Sequence, residues 1–451
     1  MARLARCFLR SAALLGPVGR WPISALRDRR GITAPLFAAI SVSLLGIVGL
    51  GTDAGLWYLA QAQAQSAADA AALAGALSLA EGSGQTAAST AATSVAQQNG
   101  FASGSSATVT VNMPPSSGAY TASNVAVEAI ISQTQTRYLS RLFLASDPVV
   151  TVRAVAEAVD IGSACALATG NVPNALEIGG NSTITGAGCT LSSNSTASPA
   201  IYVYGSPTIS ASALVSVGTC SGCGTSPPWQ QTAVPVSNPF SAADNTQLPS
   251  FSNCQNTSTP VPYEQNPIAN CSLSVSNGTS VTLAPGTYFF TNSVSIQGGS
   301  ITCTCSGGIG GVTIVLTHVS GGSNASLSIN GNINQMQLNA PATNTTFPGL
   351  SGLVLYEDPT GTQSGPKING NANVDLTGGI YFPQDTVTFN GNAKFNSTSG
   401  TNQPVSTCFE IVANGIDTSG NSTTAFDTSG CKNAGYGSNF GAQIQAVRLV
   451  E

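Results

Sequence analysis

Ile368-Asn369-Gly370-Asn371-Ala372 returns as Phe389-Asn390-Gly391-Asn392-Ala393, and the same pattern stands earlier as Ile329-Asn330-Gly331-Asn332-Ile333. Looser copies occur at Ile178-Gly179-Gly180-Asn181, Val275-Ser276-Asn277-Gly278, Ile296-Gln297-Gly298-Gly299 and Thr418-Ser419-Gly420-Asn421. From Gly278 onward the glycines step by 20, 33, 39, 21 and 29 residues. Steps of about 20 to 50 residues mark chains that stack one supersecondary unit on the next. Gly takes the left-handed backbone of a tight corner at no steric cost, and Asn side chains at successive corners stack. Between the corners lie short alternating runs such as SVTL, GTYFF, VTIVLT, SLSI, GLVLYE and TVTF, rich in β-branched residues. The pattern predicts a mainly β chain with a right-handed parallel β-helix (solenoid) over residues 161–451 and turn glycines at Gly331, Gly370 and Gly391. A β-sandwich would space its strands more evenly, at about 8 to 12 residues. The Pro-rich stretch at 221–270, including CGTSPPWQQTAVPVSNPF, reads as an excursion from the solenoid.

Composition agrees. Only 7% of the 451 residues are charged, against about 25% in an ordinary globular domain, while 42% are apolar. That excludes an average cytosolic enzyme and a disordered polyelectrolyte; 49 Gly and 24 Pro without a Gly-X-Y period exclude collagen. Low charge suits stacked coils, since a repeated surface position would set like charges in register.

The few charges are unevenly placed. Arg3, Arg6, Arg10, Arg20, Arg27, Arg29 and Arg30 give residues 1–30 a net charge of +6, and the remainder carries -11. Gly31 to Thr52 is uncharged and would span about 33 Å as a helix, enough for a hydrocarbon core of about 30 Å. A secretory signal has a shorter apolar region of about 7 to 15 residues. The sequence therefore predicts a basic cytoplasmic head at 1–30, a transmembrane helix at 31–52, and export of everything beyond it. Seven arginines set directly before a membrane span argue against nucleic acid as a partner.

Past the span, residues 53–100 read as a continuing Ala-rich helix, with Trp57 and Tyr58 at the lipid–water interface. Residues 101–160 read as a small α+β unit: ATVTVNM, NVAVEAI and PVVTVRAVAEAV alternate as strands, and TRYLSRLFL reads as a short helix. A long helix followed by such a unit is pilin-like in outline.

Arg30-Gly31, a neutral span and then TDAGLWYLAQAQAQSAADAAALAGAL resemble the N-terminal segment of the TadG-like (tight adherence, Flp pilus-assembly TadE/TadG-like) family. Asp53 matches the Asp that closes the span, and Gln65, Asp69 and Leu73 with their alanines match the family signature, with Ser66 shifting the spacing by one residue. The resemblance implies an envelope protein tied to pilus biogenesis or adhesion. Two features depart from relatives: Asp417-Thr418-Ser419 has too little chain after it for a von Willebrand-type metal domain, and Leu36 stands where a type IV prepilin has Glu.

Chemistry is sparse. Cys220-Ser221-Gly222-Cys223 has redox spacing but sits in a Pro/Gly loop rather than at a helix N-terminus. His318 is the single His, and no Gly-x-Ser-x-Gly elbow accompanies it. Zinc lacks ligands, and the acids Glu357, Asp358, Asp375, Asp385 and Asp417 are scattered. The reading is of a non-enzyme without cofactor or metal: a bacterial inner-membrane protein with its N-terminus cytoplasmic and its C-terminal domain periplasmic or on the cell surface. Its expected partners are the membrane, other pilus-assembly or envelope proteins, and surface glycans. The rival is an exported β-helix lyase or hydrolase acting on polysaccharide.

Ten cysteines lie beyond the span: Cys165, Cys189, Cys220, Cys223, Cys254, Cys271, Cys303, Cys305, Cys408 and Cys431. An even count in an oxidising compartment predicts disulfides, with the pairing left open by the sequence. Alkylation of the native exported part without reductant should modify few of the ten; modification of most of them would remove the disulfide framework.

Overall fold

The computed structural model describes residues 33–451 except 105, 143, 187, 306–309, 331, 332, 334, 363, 364, 372, 397–407, 434 and 437–439, so Arg30, Gly31 and Gly331 lie outside the described residues. Helix α1 (Thr33–Ala80) is 48 residues long, about 72 Å at 1.5 Å per residue. Its first half has large apolar side chains turned outward, with Phe37 74% and Ile47 68% exposed. Its second half buries Ala64, Ala67, Ala68, Ala71, Ala72 and Ala76.

The expected continuous helix over 53–100 is corrected at Glu81–Ser83, where the chain reverses. The Ser83 N–H donates to the Ser78 carbonyl and the Gly82 N–H to the Leu79 carbonyl, which closes the helix end, and α2 (Gly84–Gln98) returns along α1. Ala88, Ala92 and Ala96 form the returning face. Side chains this small let the helices approach closely. A Cβ added at Gly75 would stand 3.3 Å from the Ala92 Cβ and 2.7 Å from Val127.

The helix pair covers an antiparallel sheet of β1 (Ala107–Asn112), β2 (Ala126–Thr134) and β3 (Val149–Ala168). Val127, Ala129, Ile131, Val152, Ala154 and Ala156 pack against the alanine face of α1. The fourth strand comes from far along the chain: Ala442–Leu449 pairs antiparallel with β3, from Ala442↔Ala164 to Leu449↔Ala156. The unit assigned to residues 101–160 is thus completed by a segment the sequence had placed in the solenoid. The boundary at 160/161 falls inside β3, which serves the antiparallel sheet with its first half and parallel pairing with its second. The expected short helix in TRYLSRLFL is only a 3-10 turn, Ser140–Leu142.

Beyond β3 the described strands other than Ala442–Leu449 pair in parallel, in three ladders. The first runs through Cys254–Gln255, then 269–270, 286–290, 312–316, 353–357, 378–382 and 409–413, continuing into 166–168, 191–193, 214–216 and Trp229–Gln231. The second runs from 272–276 through 293–297, 326–329, 367–368, 386–389 and 415–418 into 176–178, 201–203 and 220–221. The third passes from 280–283 to 300–303, 335–339, 373–377, 394–395 and 423–426, then into 183–186 and 208–210. Spatial order therefore differs from chain order. The last rungs of the sequence carry the first ones, and the stack has a seam at Ile411↔Ala166, Ile416↔Leu176 and Thr423↔Thr183. Chain and ladder are reconciled by the excursion, which occupies about residues 232–253, narrower than the expected 221–270, because Cys220–Ser221, Trp229–Gln231 and Cys254–Gln255 still pair as rungs.

Inside the ladders lie Ile, Val, Leu and Phe, including a continuous run of rings Phe389, Phe395, Phe409 and Phe426 at centroid spacings of 5.3, 4.9 and 5.7 Å. Outside the first ladder a second apolar layer, with Phe289, Val315, Tyr356, Tyr381, Val412 and Leu167, is covered by Val236, Phe240 and Phe251 of the excursion. Asn194 grips the backbone of Val236 through both amide atoms, and Asn238 donates to the Tyr381 hydroxyl, so the excursion is fastened on both sides of the seam.

One corner repeats through the seam. Gly370, Gly391, Gly420, Gly180 and Gly205 stack in that order with φ of 76, 72, 71, 66 and 79°. A Cβ on any of the last four would lie 2.6 or 2.8 Å from a backbone atom of the glycine beneath it. Beside the column runs an amide ladder: Asn392 donates to Asn371 at 3.1 Å, Asn421 to Asn392 at 3.3 Å and Asn181 to Asn421 at 3.4 Å. Gly321 has a similar φ of 76° but open space around it. Gly321→Val should cost only the left-handed backbone, about 1–2 kcal/mol, whereas Gly391→Val adds a backbone collision and should cost clearly more in chemical denaturation. Equal losses would mean that the column is not a close contact.

Candidate functional site

The signature residues of α1 form a packing surface with one polar insertion. Ala67, Ala68, Ala71 and Ala72 are buried against α2 and the sheet, and Leu73 packs at their edge. Gln65 donates to Asp69 at 2.8 Å and to the Arg153 carbonyl of β3 at 3.1 Å, fixing the rotation of the helix on the sheet. The small residues permit the approach, and the Gln65 amide sets its register.

Asp53 is buried, with its Oδ2 accepting three backbone N–H groups, from Tyr138 at 3.2 Å, Leu139 at 3.0 Å and Ser140 at 2.7 Å. A carboxylate in this position needs such donors, since an unpaired charge removed from water is costly. The same three N–H groups have no carbonyl partner within the 3-10 turn, and Oδ2 satisfies them. This partner segment escapes a sequence reading because backbone donors leave no side-chain signature. The only available sign was an Asp directly after an apolar run.

The ten cysteines beyond α1 pair as Cys165–Cys189, Cys220–Cys223, Cys254–Cys271, Cys303–Cys305 and Cys408–Cys431. Cys165–Cys189 and Cys408–Cys431 flank the seam, while Cys220–Cys223 and Cys254–Cys271 lie at the two ends of the stack. Of the turn glycines, Gly370 and Gly391 are in the corner column.

His318 lines a cavity of about 570 Å³ together with Asp244, Ser250, Ser320, Asp358 and Thr360. Its Nδ1 is 3.3 Å from Asn324 Oδ1 and 3.7 Å from Asp358 Oδ2. Asp358 is already engaged by the Thr317 hydroxyl at 2.6 Å and by the hydroxyl and N–H of Thr360 at 2.6 and 2.9 Å. Asn324 also donates to the Asp358 carbonyl at 2.8 Å, so this network pins the two turns at 317–324 and 358–361 together. Among the described residues no group of three His, Cys, Asp or Glu side chains is placed to hold a metal ion.

Several acids are displaced from ordinary values. Burial pushes Glu357 up to about 8, with nearby Asp385 adding to the effect. Burial likewise raises Glu410 to about 8 although the Gly441 and Ala442 N–H groups donate to it. Burial, and then Glu177 directly opposite across the seam, raises Asp417 to about 6. Glu128 behaves oppositely: burial works against it, but hydrogen bonds from Ser116, Asn112 and Arg153 hold it down at about 2.

Together these features define a long apolar-then-alanine helix that carries an α+β unit and a parallel strand stack. The family described as Putative Flp pilus-assembly TadE/G-like matches residues 31–78, which run nearly to the end of α1 and include Asp53, Gln65, Asp69 and Leu73. The similarity to that family covers the N-terminal segment alone. No curated protein and no solved structure matches the chain.

The displaced acids fix a pH dependence. A carboxyl raised in the fold binds its proton more tightly than in the unfolded chain, so its stabilising share is complete below its unfolded value and is lost as pH rises through the folded value. For Asp417, Glu357 and Glu410 that window runs from about 4 to about 8. Denaturant midpoints of the strand stack should fall between pH 5 and pH 8.5, and Asp417→Asn should reduce the fall. A midpoint independent of pH would show that these acids ionise as freely in the fold as in the unfolded chain. Glu128, held low, should add a separate loss below about pH 4.

Proposed function

We propose that this chain is a membrane-anchored, exported structural or adhesive protein that works with a Flp/Tad pilus-assembly system. The observation that carries the reading is the TadE/G-like match at 31–78, coincident with a helix whose two halves have different surroundings. The first half, apolar and outward-facing, suits lipid and is long enough to cross a bilayer, while the second docks the folded body. The Arg-rich head supports an orientation with residues 1–30 in the cytoplasm.

We read the three parallel ladders as the faces of a right-handed parallel β-helix. Support comes from the parallel registers, the three strands per turn and the repeating Gly-Asn corner. Such a body offers long faces of neutral hydroxyl and amide groups, suited to contact with envelope proteins or surface glycans. The chain is read as non-catalytic: the His318–Asp358 network is consumed in holding turns, and no hydroxyl nucleophile is hydrogen-bonded to His318 among the described residues.

A periplasm-dependent reporter fused after Ala80 should be active only beyond the inner membrane, with the full chain in the membrane fraction. Removing the pilus locus should change its surface exposure or abundance. Cytoplasmic reporter activity would overturn the orientation, and unchanged exposure and abundance would separate the protein from the pilus system.

A further inference from the structure

Between Arg137 and Asp147 the described side chains have their polarity inside out. Tyr138, Leu139 and Leu144 are 66%, 49% and 42% exposed, while Ser140 between them is buried. In water a short loop is expected to turn its leucines inward and its serine outward. Nor is the loop loosely held. Asp53 binds its start through three N–H groups, and Arg137 closes it by reaching both Asp147 and the Leu144 carbonyl. The fold therefore fixes these apolar side chains in an outward position.

Its height along α1 is set by contacts. Leu139 lies on Gly49, where an added Cβ would come within 2.7 Å of the Leu139 Cβ, and the Trp57 indole N–H points to the Thr136 carbonyl at 3.4 Å. The loop thus sits beside residues 49–57, where the uncharged run ends. At the same level Leu50, Leu56 and Tyr58 of α1 also face outward, so helix and loop present neighbouring apolar surfaces. Trp57, Tyr58 and Tyr138 supply the amphipathic rings favoured at a lipid–water boundary. Exposed Arg141 supplies a cation for anionic headgroups.

We propose that Arg137–Asp147 is a membrane-interface wedge: a preformed loop whose Tyr138, Leu139 and Leu144 enter the outer leaflet of the bilayer that α1 crosses. The proposal rests on the anchoring reading given above. It gives Asp53 a specific task. Where the chain leaves lipid, the Asp53 Oδ2 accepts the loop's three N–H groups, so those donors do not meet hydrocarbon unpaired. The loop then adds a second point of contact and limits the tilt of the exported body on its helix.

The test uses the full chain reconstituted in phosphatidylethanolamine–phosphatidylglycerol vesicles with brominated acyl chains. Leu139→Trp and Leu144→Trp are prepared separately, with Val172→Trp in the strand stack as the control, and the parent emission is subtracted from each. The added emission of the two loop tryptophans should fall by at least about half, as for interfacial indoles, while that of Val172→Trp should not change. Comparing the parent with Trp57→Phe reports the anchor itself. Quenching of Trp57 without quenching of the loop residues overturns the wedge and leaves the anchor standing. Absence of quenching at all three positions overturns the anchor and the wedge together. Loop tryptophans that stay unquenched but shift to the blue as protein concentration rises would mean that a second copy covers this surface, which also overturns the proposal.

Discussion

The parallel pairing of 411–413 with 166–168, of 416–418 with 176–178 and of 423–426 with 183–186 is the constraint on which the rest of the architecture depends. Residues 245 positions apart become neighbours within a ladder, at a closure entropy of about 5 kcal/mol before any contact repays it. Side chains from both sides of the seam supply the return: Ile411, Ile416 and Phe426 join Ala166, Leu176 and Ile184 in one interior. The excursion reinforces the joint from outside by laying Val236 and Phe240 across the first ladder. Because the seam needs strands far apart in the chain, this is a high-contact-order fold, for which slow assembly is expected.

Neutral polar groups make that joint possible. In a stack every outward position faces its copy one rung away, so charges in register repel, whereas amides bridge. The Asn371, Asn392, Asn421 and Asn181 ladder crosses the seam with the same geometry it has elsewhere. The exception is Asp417 opposite Glu177, two acids facing each other at the seam itself. Burial and that neighbour keep Asp417 protonated to higher pH than an isolated carboxyl, which relieves the repulsion in mildly acidic surroundings.

The Asn-Gly-Asn repeats at 369–371 and 390–392 made the corner chemistry legible, since a left-handed turn stacked on its neighbour restricts the residue to Gly. The fifth corner, at Gly205, was not legible, because Tyr204 and Ser206 flank it in place of Asn. Neither was the seam: every rung is a short β-branched alternation, and nothing in Ile411 or Ala166 names its partner. Composition marked residues 221–270 as Pro-rich but not as a cover, since Phe240 and Phe251 are isolated among polar neighbours. In the N-terminal part, the resemblance singled out Asp53 while its backbone donors lay 85 to 87 residues away. Ala442–Leu449 reads as an ordinary alternating strand, so its transfer to the antiparallel sheet depends on where the last coil ends rather than on its own residues.

β3 is one unbroken strand of 20 residues that belongs to both halves of the molecule, and Ala442–Leu449, which follows the last parallel strand, pairs directly beside it. Chain entry and chain exit therefore meet at the middle of the stack. Tension between α1 and the strand stack would pass through β3 and its partner Ala442–Leu449, whose hydrogen bonds lie across the pull and must shear together rather than peel one by one. The outer rungs, at Trp229–Gln231 on one side and Cys254–Gln255 on the other, lie off this force line. They can be worn away or exchanged in sequence without loosening the tether, which leaves the two ends of the stack mechanically free to vary.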